Sequence, residues 1–211
     1  PESSAHTAMI RNWPGVTVER VSGRVAARNW EIVDLPGLYA LSPYSAEEVV
    51  SREFLESPAC DVILNVVDVT HPERSLGLTL ELMLLGKPMV VVLNMCDLVS
   101  DELRPSPQKL AQELGVPVVL VSAASGTGLE ELYAAVEQAR VPAILDRMFT
   151  AEDAACIRSF AEMLDGDGQR QLFDAVGLLR GDERLLERHA HNEQLLIDRG
   201  ISVSVTQVYE I

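Results

Sequence analysis

Asn94 and Asp97 follow an apolar stretch, residues 89–93 (MVVVL), and Ser122-Ala123 follow another, residues 117–121 (PVVLV). A carboxylate at Asp97 can accept from both the N1–H and the 2-amino group of a guanine base, while Asn94 braces the loop and meets the base at O6 or N7. The backbone amide of Ala123, the residue after Ser122, can donate to the guanine O6. Taken singly, N-x-x-D also reads as a strand-to-turn cap in which Asn and Asp satisfy local backbone groups. Two such ends on adjacent strands favour the base site. Upstream, Asp34-Leu35-Pro36-Gly37 offers a carboxylate to hold Mg²⁺ through a water and a glycine amide able to approach a γ-phosphate closely. Its alternative is a tight Pro-Gly turn. Thr17, in Gly15-Val16-Thr17, offers a hydroxyl to the same Mg²⁺, or is a β-branched strand residue and nothing more.

The phosphate-cradling loop that would precede these stretches, G-x-x-x-x-G-K-[ST], does not occur in the sequence. The chain has two lysines, Lys87 and Lys109, and neither follows a glycine-rich loop or precedes Ser or Thr. Leu38 stands after Gly37, where a Gln would orient an attacking water. Hydrolysis would then rest on backbone groups, Mg²⁺ or a monovalent cation such as K⁺, and would be slow. No residue is assigned as catalytic. Trp13 reads equally as an exposed functional aromatic and as a packing residue.

These residues need elements to position them. Val16, Val18, Val21 and Val25 alternate toward a second short run at residues 30–33, which predicts a β-hairpin ending at Asp34. Ser45-Ala46-Glu47-Glu48 is a capping box opening a helix to about Glu56. Residues 61–67 (DVILNVV), 88–93 and 117–121 read as strands, with helices expected over 73–85, 107–114 and 129–138. Near-continuous Val/Ile/Leu strands alternating with helices predict an α/β fold, a mostly parallel sheet with helices on both faces. Asp34, Asn94 and Ser122 all fall at strand carboxyl ends, where ligands of such sheets bind. After about Arg140 the texture becomes helical, over 151–164, 170–179 and 183–197, with glycine-rich turns between. The expected division is a GTPase-type domain over 1–139, a small α-helical domain over 140–200 and a strand-like tail over 201–211.

Composition narrows the classes. With 211 residues and 47% hydrophobic content the chain can bury a core, and a net charge of −15 argues against nucleic acid as a partner. No run approaches the roughly 18 apolar residues of a membrane span, and no signal peptide opens the chain. Because the sequence begins at Pro1 rather than Met, it is expected to be a processed product or part of something longer. Cys60, Cys96 and Cys156 are too few and too scattered for a disulfide framework, which fits a reducing compartment. The pair His189 and His191 is read as a solvated helix end in preference to a metal site.

Three stretches carry a family resemblance: Asn12-Trp13-Pro14-Gly15-Val16-Thr17-Val18-Glu19; residues 34–45 (DLPGLYALSPYS); and Asn65-Val66-Val67-Asp68 with Glu73-Arg74 and Leu78-Thr79-Leu80. They resemble the cytosolic N-terminal G domain of the bacterial ferrous iron transport protein B (FeoB) family, from about Asn12 to Val136. The resemblance implies a small-GTPase-like sheet followed by a helical domain that influences nucleotide release. It also implies GTP/GDP and Mg²⁺ as ligands, the transmembrane portion of the same Fe²⁺ transporter as partner, and a place at the cytoplasmic face of the bacterial inner membrane. In that family the residue after D-L-P-G is likewise not Gln. The missing first motif is a departure. The family's first strand lies mid-sheet, beside the strand ending at Asp34 and the one at residues 62–67, so its removal would leave two bare edges. Residues preceding Pro1 are the favoured expectation for that slot, and residues 201–208 the alternative. The family's K⁺- and phosphate-binding residues belong to that loop, so none is assigned here.

The leading reading is thus an enzyme, a G domain that binds GTP and Mg²⁺, hydrolyses slowly and couples nucleotide state to Fe²⁺ passage. A pseudo-GTPase regulatory or interaction module is the second, on the evidence of the absent Walker lysine. A soluble GTPase of the ribosome-assembly type is disfavoured by the Asn-Trp-Pro-Gly-Val-Thr stretch and the acidic charge. The sequence leaves homo-oligomerisation open and shows no convincing iron-ligand cluster.

Overall fold

The computed structural model describes residues 9–13, 19–38, 46–100, 102, 104–143, 145–166, 168–182, 185, 188 and 189. The chain divides into two compact units, Pro1–Cys60 and Asp61–Ile211.

The first unit holds an antiparallel sheet of order β1-β2-β3, formed by β1 (Met9–Asn12), β2 (Glu19–Val25) and β3 (Trp30–Asp34). The expected hairpin is present, in register from Val21↔Asp34 to Val25↔Trp30. Its turn is one helical turn, Ala26–Arg28, closed by Asn29 at φ 53°. Asn tolerates this left-handed conformation better than most residues. Helix α1 (Ala46–Glu56) follows, with the Ser51 hydroxyl donating to the Pro36 carbonyl at 3.1 Å. Ser45, the expected cap, and Thr17 lie outside the described residues. Trp13 is a packing residue: it is buried, its ring meets Phe54 edge-on with centroids 5.2 Å apart, and the Arg20 guanidinium lies 5.2 Å from its centroid.

The second unit is built on a parallel sheet of order β4-β5-β6, from β4 (Ile63–Asp68), β5 (Met89–Asn94) and β6 (Val118–Leu120). Helices α2 (Pro72–Leu84), α3 (Pro107–Leu114) and α4 (Leu129–Glu137) alternate with the strands as the apolar periodicity requires. Leu129, Leu132 and Val136 of α4 cover Val90, Val92 and Val121, while α2 meets the opposite face through Asn65. The five apolar residues of β5 are all buried, which is why this strand shows no alternation. Asn65 is the polar exception in β4: its amide donates to the Thr79 hydroxyl at 2.6 Å, which in turn donates to the Ser75 carbonyl at 2.9 Å.

Among the described residues, β3 and β4 each pair on one side only. The outer row of β4 carries no lysine, proline or bulge of the kind that protects an edge, and Val66 is 60% exposed. This is the composition of an interior strand.

Beyond the sheet come α5 (Leu145–Met148), α6 (Ala151–Ala161, capped by Thr150) and α7 (Gly168–Leu179). The α5 turn was not anticipated from periodicity. Arg147, on α5, donates to the Gln112 and Glu113 carbonyls at the end of α3, and Arg180 reaches Glu81 of α2 at 2.6 Å. His189 corrects the sequence expectation of a solvated helix end. It is buried, with Nε2 2.7 Å from Asp174 Oδ2, and the same Asp174 carboxylate lies 3.9 Å from Arg170 Nε and 3.6 Å from Arg188 Nη1. The carboxylate that buries it lies 15 residues upstream, out of reach of local spacing. Leu185 seats against Gly177, where an added Cβ would stand 2.3 Å from Leu185 Cδ1.

The Asn65 to Thr79 bond yields a test of the core. Thr79→Val preserves shape but removes the acceptor, leaving a buried N–H unsatisfied at about 1–3 kcal/mol. Thr79→Ser keeps the acceptor and is expected to lose only about 1 kcal/mol for its methyl group. Urea unfolding followed by circular dichroism should order the variants wild type, Ser, Val.

Candidate functional site

Parallel pairing in strict register brings Asp68 beside Asn94 at the carboxyl rim of the second sheet. The Val69 amide donates to the Asn94 carbonyl at 3.1 Å, and the Val121 amide to the Leu93 carbonyl at 2.8 Å, so the ladder continues to the last residue of β5. There the chain turns sharply. Met95 takes φ 63°, an unusual conformation for a residue with a Cβ, and buried Cys96 anchors its amide to the Val121 carbonyl at 3.3 Å. One helical turn, Cys96–Leu98, then directs Asp97 outward. Asp97 is exposed, and among the described residues its carboxylate has no hydrogen bond or ion pair. A strained turn with a buried anchor thus presents a free acceptor pair at the rim.

The loop after β6 is fixed by its own bonds. The Ser122 amide donates to the Thr127 carbonyl at 3.0 Å, the Gly126 amide to the Ser122 carbonyl at 2.9 Å, and Ser125 and Thr127 share a hydroxyl contact at 2.8 Å. Gly128 closes the loop at φ 81°, and a Cβ there would stand 2.1 Å from the Leu120 carbonyl oxygen. Only glycine fits. The two rim loops are joined by one bond, the Ala123 amide donating to Asn94 Oδ1 at 3.1 Å. The sequence reading turned that amide toward a ligand carbonyl; here it holds the Asn94 side chain. Asn94 thereby has its amide orientation fixed, with its Nδ2 group bonded to nothing among the described residues.

Asp68 was named in the sequence only as part of a resemblance. Its Oδ1 accepts from the Thr70 hydroxyl at 2.6 Å and from the Thr70 amide at 2.8 Å, and these two bonds hold its pKa below the usual carboxylate value. The Thr70 hydroxyl also meets His71 Nδ1 at 2.8 Å. An Asp-x-Thr turn after an apolar strand was the signal that could have placed it. It shapes the rim beside Asn94.

Asp34 and Gly37 belong to the other compact unit. Asp34 ends β3, is exposed and carries no hydrogen bond or ion pair among the described residues. Gly37 is exposed, and a Cβ there would meet nothing within 4 Å, so packing does not require glycine at this position. Of the residues singled out, the structure joins Asn94, Ser122 and Ala123 directly, with Asp97 on the same rim. No group of three His, Cys, Asp or Glu side chains able to hold a metal ion occurs among the described residues. Cys60, Cys96 and Cys156 are free thiols.

Residues 3–136 match the family model described as ferrous iron transport protein B. The Fe(2+) transporter FeoB of Campylobacter jejuni is 42% identical over 126 residues, 58% of this chain and 21% of that protein. The chain thus spans about a fifth of the length of that relative. Among solved structures, the cytosolic domain of L. pneumophila FeoB superposes with a TM-score of 0.78 at 30% identity, over 92% of this chain and 80% of that one. A mutant of S. thermophilus NFeoB bound to GDP gives 0.77 at 36% identity, over 87% of this chain and 74% of that one.

The rim geometry makes Gly128 a decisive position. Gly128→Ala combines a left-handed backbone with a clash against backbone oxygen, and is expected to destabilise the chain by about 2 kcal/mol or more. Urea unfolding checks the loss, and faster amide exchange at Ser122 and Ala123 should accompany it.

Proposed function

This chain belongs to the ferrous iron transport protein B family, and on that premise we propose that it is a guanine-nucleotide-binding domain serving an Fe²⁺ transporter of the bacterial inner membrane, at its cytoplasmic face. The observation that carries the reading is the rim of the second unit, where Asn94 is locked by the Ala123 amide beside an exposed Asp97 whose carboxylate has no partner among the described residues. Asp97 accepts from the guanine N1–H and 2-amino group together, which adenine cannot satisfy. Asn94, held by its own Oδ1, turns its amide nitrogen to the base as a donor. Ser122 and its loop keep Ala123 in place. GDP-bound relatives of the same fold support this assignment.

The phosphate side falls to Thr17, Asp34 and Gly37. The exposed Asp34 carboxylate and the Thr17 hydroxyl are oxygen donors suited to Mg²⁺, which when bound offsets phosphate charge. The Gly37 amide is the donor for a γ-phosphate, and the absence of packing around it agrees with a glycine kept for close approach to a ligand. Leu38 offers no group to orient water, so GTP hydrolysis by such a domain is slow. We assign residues 1–139 to nucleotide binding and 140–200 to the helical domain, with the transmembrane portion of the transporter as partner. A pseudo-GTPase module is the second reading, favoured by the absence of G-x-x-x-x-G-K-[ST] from the sequence.

Titration of a fluorescent GDP analogue into this chain with Mg²⁺, alongside Asp97→Ala, separates the two. Binding in the micromolar range, about 8 kcal/mol, with at least a 100-fold loss in Asp97→Ala, is the expected result. Absence of binding by the folded chain, its mass verified to be that of the 211 residues, would leave the pseudo-GTPase reading.

A further inference from the structure

The amino end of the second sheet carries a pocket that the assignment above does not use. The chain returns there after α4, and the Met89 amide donates to the Arg140 carbonyl at 3.2 Å, an antiparallel bridge at the first residue of β5. Met89 stands at the opposite end of β5 from Asn94, about 17 Å along an extended strand, so this place is separate from the rim.

Two arginines converge here on Gly115, the residue that ends α3. Arg140 Nε donates to the Gly115 carbonyl at 2.9 Å. Arg147 donates through Nη1 to the Gln112 and Glu113 carbonyls, and its guanidinium lies against the Gly115 backbone. A Cβ at Gly115 would stand 3.0 Å from Arg147 Nε and 3.1 Å from its Cζ. Gly115 also takes φ 74°, with its amide on the Ala111 carbonyl at 2.9 Å, so conformation and contact both call for glycine.

The helix end accounts for one of the two cations. Carbonyls at a helix C-terminus attract a positive group, and the Nη1 bonds of Arg147 meet that need. A second guanidinium at the same residue adds like-charge repulsion. Among the described residues neither arginine pairs with a carboxylate, and Nη1 and Nη2 of Arg140, with Nε and Nη2 of Arg147, have no hydrogen bond. Both guanidiniums line an open pocket of about 510 Å³, the size of a small-molecule site, whose wall includes Ala111, Val141 and Ala143. Val141 is 39% exposed, so apolar surface lies uncovered beside the two charges. A chain of net charge −15 repels anions at long range, and attraction for one must come from such local donors.

We propose that Arg140 and Arg147 form a binding site for a small organic carboxylate at the foot of β5. The carboxylate takes the planar donor edges of the guanidiniums, which match its two oxygens, and the hydrocarbon part covers Ala111, Val141 and Ala143. The bound anion relieves the repulsion between the two cations. The site needs no nucleotide and stands apart from the function proposed above.

Benzoate is the probe, added to the isotope-labelled 211-residue chain at constant ionic strength and followed by NMR at the backbone amides and the arginine Nε–H groups. Saturating shifts at Gly115, Arg140 and Arg147, half complete at about 1 mM, are expected, with the Ala123 amide unmoved. Arg140→Gln and Arg147→Gln should each weaken binding at least about tenfold. Arg140 is exposed, so its variant carries the test if loss of the Arg147 bonds unfolds the end of α3. Benzyl alcohol, which lacks the charge, and acetate, which lacks the ring, should each bind at least about tenfold more weakly than benzoate. Shifts that do not saturate, or equal affinity in Arg140→Gln, would overturn the site. Benzyl alcohol binding as well as benzoate would remove the role of the guanidiniums, and acetate doing so would remove that of the apolar wall; either result ends the organic-carboxylate assignment.

Discussion

The candidate site depends on the parallel register of β4, β5 and β6. Because Asp68 lies beside Asn94 and Leu93 beside Leu120, the strands end together and their loops leave from one rim. A parallel sheet reaches that state only when both faces are covered, which explains the buried run in β5 and the placement of α2 and α4. The one polar residue admitted to the interior of β4, Asn65, is satisfied by Thr79 rather than by water. Register thus converts an apolar pattern into the position of a few polar groups. A slip of one residue would turn the side-chain faces over and separate Asn94 from Ala123.

At the rim the chain accepts local strain in return for direction. Met95 in a left-handed conformation and Gly128 against the Leu120 oxygen are two places where the rim backbone leaves the ordinary regions. Met95 opens the turn that carries Asp97, beside buried Cys96, and Gly128 closes the loop that begins at buried Ser122. Strain confined between buried anchors fixes where an exposed side chain points. That is what the proposed role of Asp97 would require, since a carboxylate with no partner among the described residues keeps both oxygens available to a base only if its backbone does not wander.

Much of this was legible in the sequence, for identifiable reasons. The apolar runs of β5 and β6 are local signals, and local signals place elements to within a residue or two. Asn94, Asp97 and Ser122 could be read because strand ends and motif spacing coincide. What escaped notice depends on long-range pairing. The Ala123 amide finds Asn94 across 29 residues, and His189 finds Asp174 across 15. The H-x-H spacing suggested solvent because spacing does not register a carboxylate on another helix. The role of Trp13 as a packing residue followed only once Arg20 and Phe54 stood against it.

The partition bears on how recognition is built. Every contact that shapes the base-facing rim, from the Val121 and Cys96 bonds to the Ala123 brace and the Gly128 closure, lies within the unit Asp61–Ile211. The phosphate-facing candidates Asp34 and Gly37, with the Trp13, Arg20 and Phe54 cluster, lie within Pro1–Cys60. On the proposed reading, the half that would bind the base draws its geometry from its own sheet, and selectivity for the base and sensitivity to the phosphates would be separable properties carried by different parts of the chain.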